Sequence, residues 1–499
     1  MEVLDVEQLD WVLLLSAAVL LVAIAAVRLS SRIGLPSLLV YLGLGILLGE
    51  DVAGIEFDDA QLTRALGYAA LVVILAEGGL TTNWSTIRPT VPAATVLATL
   101  GLGVSMAITA VAAYALLDVG WQLAFLVGAI VSSTDAAAVF SVLRRLPLPP
   151  RLVGLLEAES GFNDAPAVIL VVALSAVGRP VEPLHLVGLL LFELALGALV
   201  GYAVGRLGAT VLSRVALPAS GLYPIAVLAL AGGAYAIAGL MHASGFIAVY
   251  LAAVVLGNSG LPHRVATRGF AEGLAWVAQM GLFIMLGLLV TPSELGPVML
   301  PALGVGLALL LVARPLSVLA STAPFRLPFR EQLFLSWAGL RGAVPIVLAT
   351  VPQLTGADPD RRMFGLVFVL VLVFTLVQGP TLPYVARRLA VAAPAEAHDL
   401  DVDAAPLEDL GAHLLQITIP DDSLLHGVEV SELRLPDGAA VTLVVREGRS
   451  FTPAPTTVLR HGDGVLIVTT AQARETTERR LRAVSRGGKL GWWLGERGT

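Results

Sequence analysis

Residues 156–177 read LEAESGFNDAPAVILVVALSAV. The right half is as apolar as a bilayer interior, whereas the left half carries Glu157, Glu159, Asn163 and Asp164. A charge at mid-bilayer costs about 2.5 kcal/mol or more on insertion scales, so ionisable residues inside spans are rare and usually bear function. Read as a span with carboxylates built into its first turns, this stretch decides how the rest of the chain is interpreted.

The whole composition agrees with a membrane setting. Of 499 residues, 57% are hydrophobic and 14% charged, with a mean hydropathy of +0.84. Soluble domains reach about half apolar residues, so most of this chain belongs in lipid. It has no cysteine, which excludes disulfides, thiol catalysis and Cys-based metal sites. Lys489 is the only lysine among 31 basic residues, a skew of genome composition rather than mechanism. The opening MEVLDVEQLD is acidic where a secretory signal is basic, so the first apolar run is read as a retained span.

Apolar windows able to cross about 30 Å of hydrocarbon fall at 12–28, 33–49, 65–80, 91–117, 121–143, 152–177, 184–207, 221–240, 243–257, 272–290, 298–320, 331–350 and 363–386. They predict about thirteen transmembrane helices. Arginine placement orients them. One set of loops holds Arg28, Arg32, Arg88, Arg144, Arg145, Arg151, Arg206, Arg214, Arg264, Arg268, Arg314, Arg326, Arg330, Arg387 and Arg388; the other holds Arg64, Arg179, Arg361 and Arg362. The N-terminus is therefore expected outside and everything past the last span in the cytoplasm, with the protein in a bacterial plasma or inner membrane.

Four segments follow. Residues 1–389 form the transmembrane domain, and 390–404 an Ala/Pro/Asp linker without apolar periodicity. Residues 405–475 form a small soluble α/β domain whose strands lie in AHLLQITIP, AAVTLVVREG and DGVLIVTT, separated by Pro, Asp and Gly turn signals. Residues 476–499 form a polar tail, with ARETTERRLRAV read as a mostly solvated helix. Trp492 and Trp493 match no motif.

Three spans carry the chemistry. The fifth holds Ser132, Ser133, Thr134 and Asp135 near mid-depth, oxygens that replace backbone bonds where a transporter helix is broken; a plain polar contact between helices is the competing reading. In the sixth, Glu159 with Asn163 and Ser160 with Asp164 are i,i+4 pairs, each sharing a face. With an amide, hydroxyls and water at hand, Asp164 is suited to exchange a proton for a desolvated monovalent cation. The twelfth, EQLFLSWAGLRGAVPIVLATV, puts Arg341 at a depth similar to Glu159. A guanidinium cannot shed its proton there and needs a carboxylate. Glu159 is the first choice and Glu77 the second, and structural anchoring by the Glu159–Arg341 pair outweighs direct ion binding. Gly339, Gly342 and Pro345 are expected to unwind or kink that helix.

Weaker candidates surround these. Glu77 and Glu157 sit towards the cytoplasmic side, where a pathway role competes evenly with contact to water. Glu193, near mid-span on a helix without another charge, suits a subunit contact. His242 lies in a short outer turn, and Met280 and Met285 are packing residues. The fifth and twelfth spans, seven apart and opposite in direction, are both interrupted near mid-depth. Interrupted helices at corresponding places of two inverted halves point to a transporter's binding site.

The same residues carry a resemblance. STDAAAVFSVL around Thr134 and Asp135, ESGFNDAPAV around Asn163 and Asp164, LAEGGL around Glu77 and GLRGAVPIVLA around Arg341 resemble the bacterial NhaP/CvrA branch of monovalent cation:proton antiporters. The tail resembles the RCK-C (TrkA-C) regulatory domain, a combination typical of potassium/proton antiporters. The resemblance implies a homodimer with an elevator-like moving core. It implies Asp164 as the principal cation and proton carboxylate, Thr134, Asp135, Ser160 and Asn163 around it, and Glu159 with Arg341 as a bracing pair. The Asn-Asp pair goes with electroneutral exchange.

Other classes fit less well. A channel gated by an RCK module predicts a filter such as TVGYG, and the sequence contains none. Nor does it contain a Walker loop or HExxH, or a Ser and His paired at membrane depth, so neither a pump nor an intramembrane enzyme is indicated. No cofactor is expected beyond the transported ions, K⁺ ahead of Na⁺, with H⁺. The expected partners are membrane lipid, a second copy and a small nucleotide effector such as cyclic di-AMP on the tail, with no nucleic acid.

Overall fold

Proline and glycine punctuate this chain, and the helix ends follow them. The computed structural model describes residues 6–33, 36–55, 57–135, 148–176, 182–358, 361–391, 402–407, 412–421, 423–470 and 472–488. Trp492, Trp493 and the expected continuation of the fifth span beyond Asp135 lie outside these. The chain forms two compact units, Met1–Val391 and Ala392–Thr499.

In the first unit the helices are α1 Val6–Ile33, α2 Ser37–Leu48, α3 Ala60–Thr81, α4 Val91–Leu117, α5 Trp121–Ser132, α6 Pro150–Leu174, α7 Pro183–Arg214 and α8 Leu222–Leu240. They continue as α9 Gly245–Asn258, α10 Arg264–Leu288, α11 Gly296–Phe325, α12 Phe329–Trp337, α13 Ala343–Leu348, α14 Thr350–Thr355 and α15 Arg362–Arg388. Pro150 and Pro183 occupy first helical turns, where a missing N–H costs nothing. Asp59 caps α3 by accepting from the Leu62 amide at 2.8 Å. Pro166 lies inside α6, freeing the carbonyl one turn earlier. Both α4 and α11 contain a π turn, at Leu97–Gly101 and Leu309–Ala313.

Among the described residues seven helices, α3, α4, α7, α8, α10, α11 and α15, are long and apolar enough to cross a membrane. Helices α2, α5 and α9 are shorter and apolar. Large apolar side chains on the outside of this unit are bare, Leu184 at 85%, Leu240 at 84% and Leu300 at 80% exposure. Such surface is stable against lipid tails and costly against water. This is a helical membrane protein.

Helices α7 and α9 approach closely because Gly197, Gly201 and Gly205 stand one turn apart on α7. A Cβ at Gly201 would collide with the Ala248 backbone, and one at Gly205 would stand 3.0 Å from Ala252 Cα. Small residues at that spacing let membrane helices pack backbone to backbone.

The second unit is a five-stranded antiparallel sheet in the order β1-β2-β5-β3-β4. Its strands are β1 Val402–Leu407, β2 Ala412–Thr418, β3 Ala439–Arg446, β4 Arg449–Phe451 and β5 Gly464–Thr470. The three expected strands are present as β2, β3 and β5, and β1 straddles the boundary at residue 404 between the expected linker and the expected domain. The last helix, α16 Arg474–Gly487, is not the solvated tail expected. Thr477, Leu481, Val484 and Ser485 are buried, and Leu481 and Val484 join Leu415, Ile417, Val465 and Ile467 in one core. Their spacing of about one turn puts them on a single stripe, which the many arginines between them obscure.

Candidate functional site

The site is built where two helices stop. Helix α5 ends at Ser132 and α12 at Trp337; Ser133–Asp135 and Leu340–Gly342 run without helical bonding. The end of α5 meets the α12–α13 break, with the Asp135 amide donating to the Leu340 carbonyl at 2.8 Å. Helix ends of this kind leave carbonyls without partners, and cationic side chains are favoured there. Arg341 supplies one, its Nε donating to the Val131 carbonyl at 3.1 Å and its Nη1 to the Gly339 carbonyl. Gln378 supplies another donor, to the Trp337 carbonyl at 2.9 Å.

Helix α6 lies against this crossing. Ser133 Oγ donates to Asp164 Oδ1 at 2.6 Å. Asn163 Nδ2 donates to Thr134 Oγ1 at 2.6 Å, and Ser160 Oγ to the Thr134 carbonyl at 3.0 Å. Thr134 Oγ1 in turn stands 3.5 Å from Glu159 Oε1. Asp164, Asn163, Thr134 and Glu159 are buried, Asp164 at 6% exposure. The i,i+4 faces read from sequence are thus both turned to the break: one presents Asp164 and Ser160, the other Asn163 and Glu159.

A cavity of about 290 Å³ reaches this point. Asp164, Asp135, Ser160, Glu77 and Glu157 all line it, so five of the residues singled out from sequence share one space. Asn163 and Thr134 stand behind them. Glu272 and Gln279 of α10, with Thr82 and Tyr250, also line it and were not anticipated. A carboxylate, hydroxyls and carbonyls at the end of a cavity are hard oxygen donors suited to an alkali cation.

One expected pairing is overturned. Glu159 does not pair with Arg341; its partner is Arg314, with Nη1 on Oε1 at 2.6 Å and Nη2 on Oε2 at 3.0 Å. Arg341 instead answers the ends of the broken helices, which compete for the same guanidinium. Arg314 was read as a loop residue, yet it lies in α11 at 3% exposure. Its signal was available: a lone arginine inside a long apolar run, the feature that drew attention to Arg341.

Glu193 and His242 do not reach the site. The Glu193 carbonyl accepts from the Ser244 amide at 3.1 Å, so Glu193 stands level with the α8–α9 turn. Met280 and Met285 are buried in the helical core.

A helical membrane unit in which the end of α5 meets the break between α12 and α13 beside a cavity-facing carboxylate has the arrangement of a secondary transporter's binding site. The chain belongs to the sodium/hydrogen exchanger family, whose transmembrane model matches residues 17–388, and a TrkA-C domain matches residues 414–482. It is 37% identical to the K(+)/H(+) antiporter NhaP of Alkalimonas amylolytica over 93% of this chain and 82% of that protein. It is likewise 37% identical to the K(+)/H(+) antiporter NhaP2 of Shewanella oneidensis, over 92% and 81%. The fold resembles the sodium proton antiporter MjNhaP1 from Methanocaldococcus jannaschii, with a TM-score of 0.66 at 21% identity over 77% of this chain and 99% of that one.

Proposed function

We propose that this protein is a secondary antiporter exchanging K⁺ for H⁺, with Asp164 as the group that holds either ion. The observation that carries the reading is the position of Asp164, buried against the helix break, fastened by Ser133 and open to the cavity. Asn163 beside it is neutral, which favours one carboxylate cycling between a proton and a cation and hence electroneutral exchange. Asp135, Ser160 and Thr134 shape the site, Glu77 and Glu157 lead to it, and Arg314–Glu159 with Arg341 brace it. Potassium is favoured by the two relatives at 37% identity. The alternative, Na⁺, draws on the likeness to MjNhaP1.

Further parts of the reading are an elevator-like motion of the crossed-helix core, thirteen spans in inverted halves, an external N-terminus, a cytoplasmic TrkA-C unit and a homodimer. The arginine distribution supports the orientation, and the largely bare apolar face of α7 supports the dimer. A small nucleotide effector rests on the TrkA-C match alone. The test is purified protein in liposomes with an internal pH dye and the membrane potential clamped at zero. Pulses of K⁺, Na⁺ and Li⁺ are expected to move protons in that order, and Asp164→Asn to abolish the response while remaining folded. Unchanged exchange in that variant would remove Asp164 from its role.

A further inference from the structure

We propose that Glu193 captures cations at a second vestibule, on the opposite membrane face from the Glu77–Glu157 cavity, and that Phe246 and Tyr250 partition the two. The inference rests on the antiporter reading above and adds a residue to it.

A second cavity, of about 530 Å³, is lined by Tyr68, Val168, Glu193, Tyr235 and Phe246 among others. Glu193 is the one carboxylate in its described lining, half-buried at the level of the α8–α9 turn. Three helices line both cavities, in the same order. On α6, Asp164 faces the first cavity and Val168, one turn on, faces the second. On α9, Tyr250 faces the first and Phe246, one turn earlier, the second. On α3, Leu71 and Ile74 face the first and Tyr68 the second.

The wall between them is aromatic. Phe246 stands edge-on to Tyr68 and to Tyr235, ring centroids 5.3 Å apart in each case, and Tyr250 stands edge-on to Phe162 at 5.8 Å. Phe246 and Tyr250 are buried. Such a constriction does not pass a hydrated cation. A slide of α6 along α9 by one helical turn, about 5.4 Å, would carry Asp164 from the level of Tyr250 to that of Phe246 and into the second cavity. The one carboxylate in this lining, set among apolar side chains with the hydroxyls of Tyr68, Tyr235 and Ser244 and with His242 near it, then raises the local cation concentration at its mouth.

The chain has no cysteine, so single cysteines report directly. Oriented proteoliposomes carrying Val168→Cys (with Ala173→Cys as a second reporter should the first misfold) would be treated from one face with a membrane-impermeant cationic thiol reagent. Reaction is expected from the face of the α8–α9 turn. Adding Glu193→Gln should slow it about tenfold while leaving a neutral reagent unaffected. In the otherwise native chain, Glu193→Gln should raise the half-saturating cation concentration about tenfold on that face alone, with the saturating rate unchanged. Two results would overturn the proposal: both cysteines reacting solely from the arginine-rich face, or half-saturation unmoved on both faces. Absence of exchange in the native chain would instead strike the antiporter reading itself.

Discussion

Arg314 grips Glu159 through two hydrogen bonds, of 2.6 and 3.0 Å, with the two side chains 4% and 2% exposed. It joins α11 to α6, the helix that carries Asp164. Removing one partner of a buried pair leaves the other charge unanswered and costs about 3–5 kcal/mol. Arg314→Gln and Glu159→Gln should therefore each lower the thermal unfolding temperature in detergent sharply. The double variant should lose less than the sum of the two, because neither charge is then stranded. Arg314→Gln with native thermal stability would contradict the bracing role.

Ser133 donates to Asp164 Oδ1 at 2.6 Å from a segment with no helical bonding of its own. A hydrogen bond to a charged group is worth about 1.5–3 kcal/mol. Ser133→Ala should raise the half-saturating cation concentration roughly tenfold or more, with the fold intact, because the carboxylate loses the donor that aims it. Exchange assays across a range of K⁺ concentrations would measure this, and an unaltered concentration dependence would show that Ser133 is a bystander.

Much of this site was legible because charge in a lipid-length apolar run is conspicuous. Asp135, Asp164 and Arg341 stood out one by one, and i,i+4 spacing put Ser160 with Asp164. Partner choice was not legible. Depth alone matched Arg341 to Glu159, but a guanidinium bonds whatever acceptor lies within its reach, and Arg341 reaches the carbonyls of Val131 and Gly339. Arg314 was assigned to a loop because it sits near the end of its apolar window. In the second unit, periodicity announced three strands, while β1 lacked alternation and α16 hid Leu481 and Val484 among arginines.

Gly342 abuts Asp135 so closely that an added Cβ would fall on the carboxylate. Gly342→Ala must therefore displace Asp135 from the crossing. The variant should lose most exchange while keeping its thermal stability within a few degrees. Asp135→Ala in the same chain should relieve the clash without restoring the rate. Full activity of Gly342→Ala would mean that Asp135 moves freely and has no fixed place in the site.

In the second unit, Asp463 accepts from Arg446 Nε and Nη2 at 2.8 and 2.7 Å and from the Arg460 amide at 2.8 Å. Burial alone would raise its carboxyl; these hydrogen bonds and the two nearby guanidinium charges outweigh it and hold the group below its ordinary value of 3.8. The folded chain thus binds this proton more weakly than the unfolded one. Its contribution to stability is fully present above the ordinary carboxylate value and is lost as the pH falls through and below it. Hydrogen exchange of the β2 and β5 amides, followed in the full chain from about pH 6 to about pH 3 and corrected for intrinsic rates, should lose protection over that window. Asp463→Asn should start less protected at neutral pH and show a flatter acid dependence. An identical slope in both proteins would assign the acid sensitivity of this unit to another group.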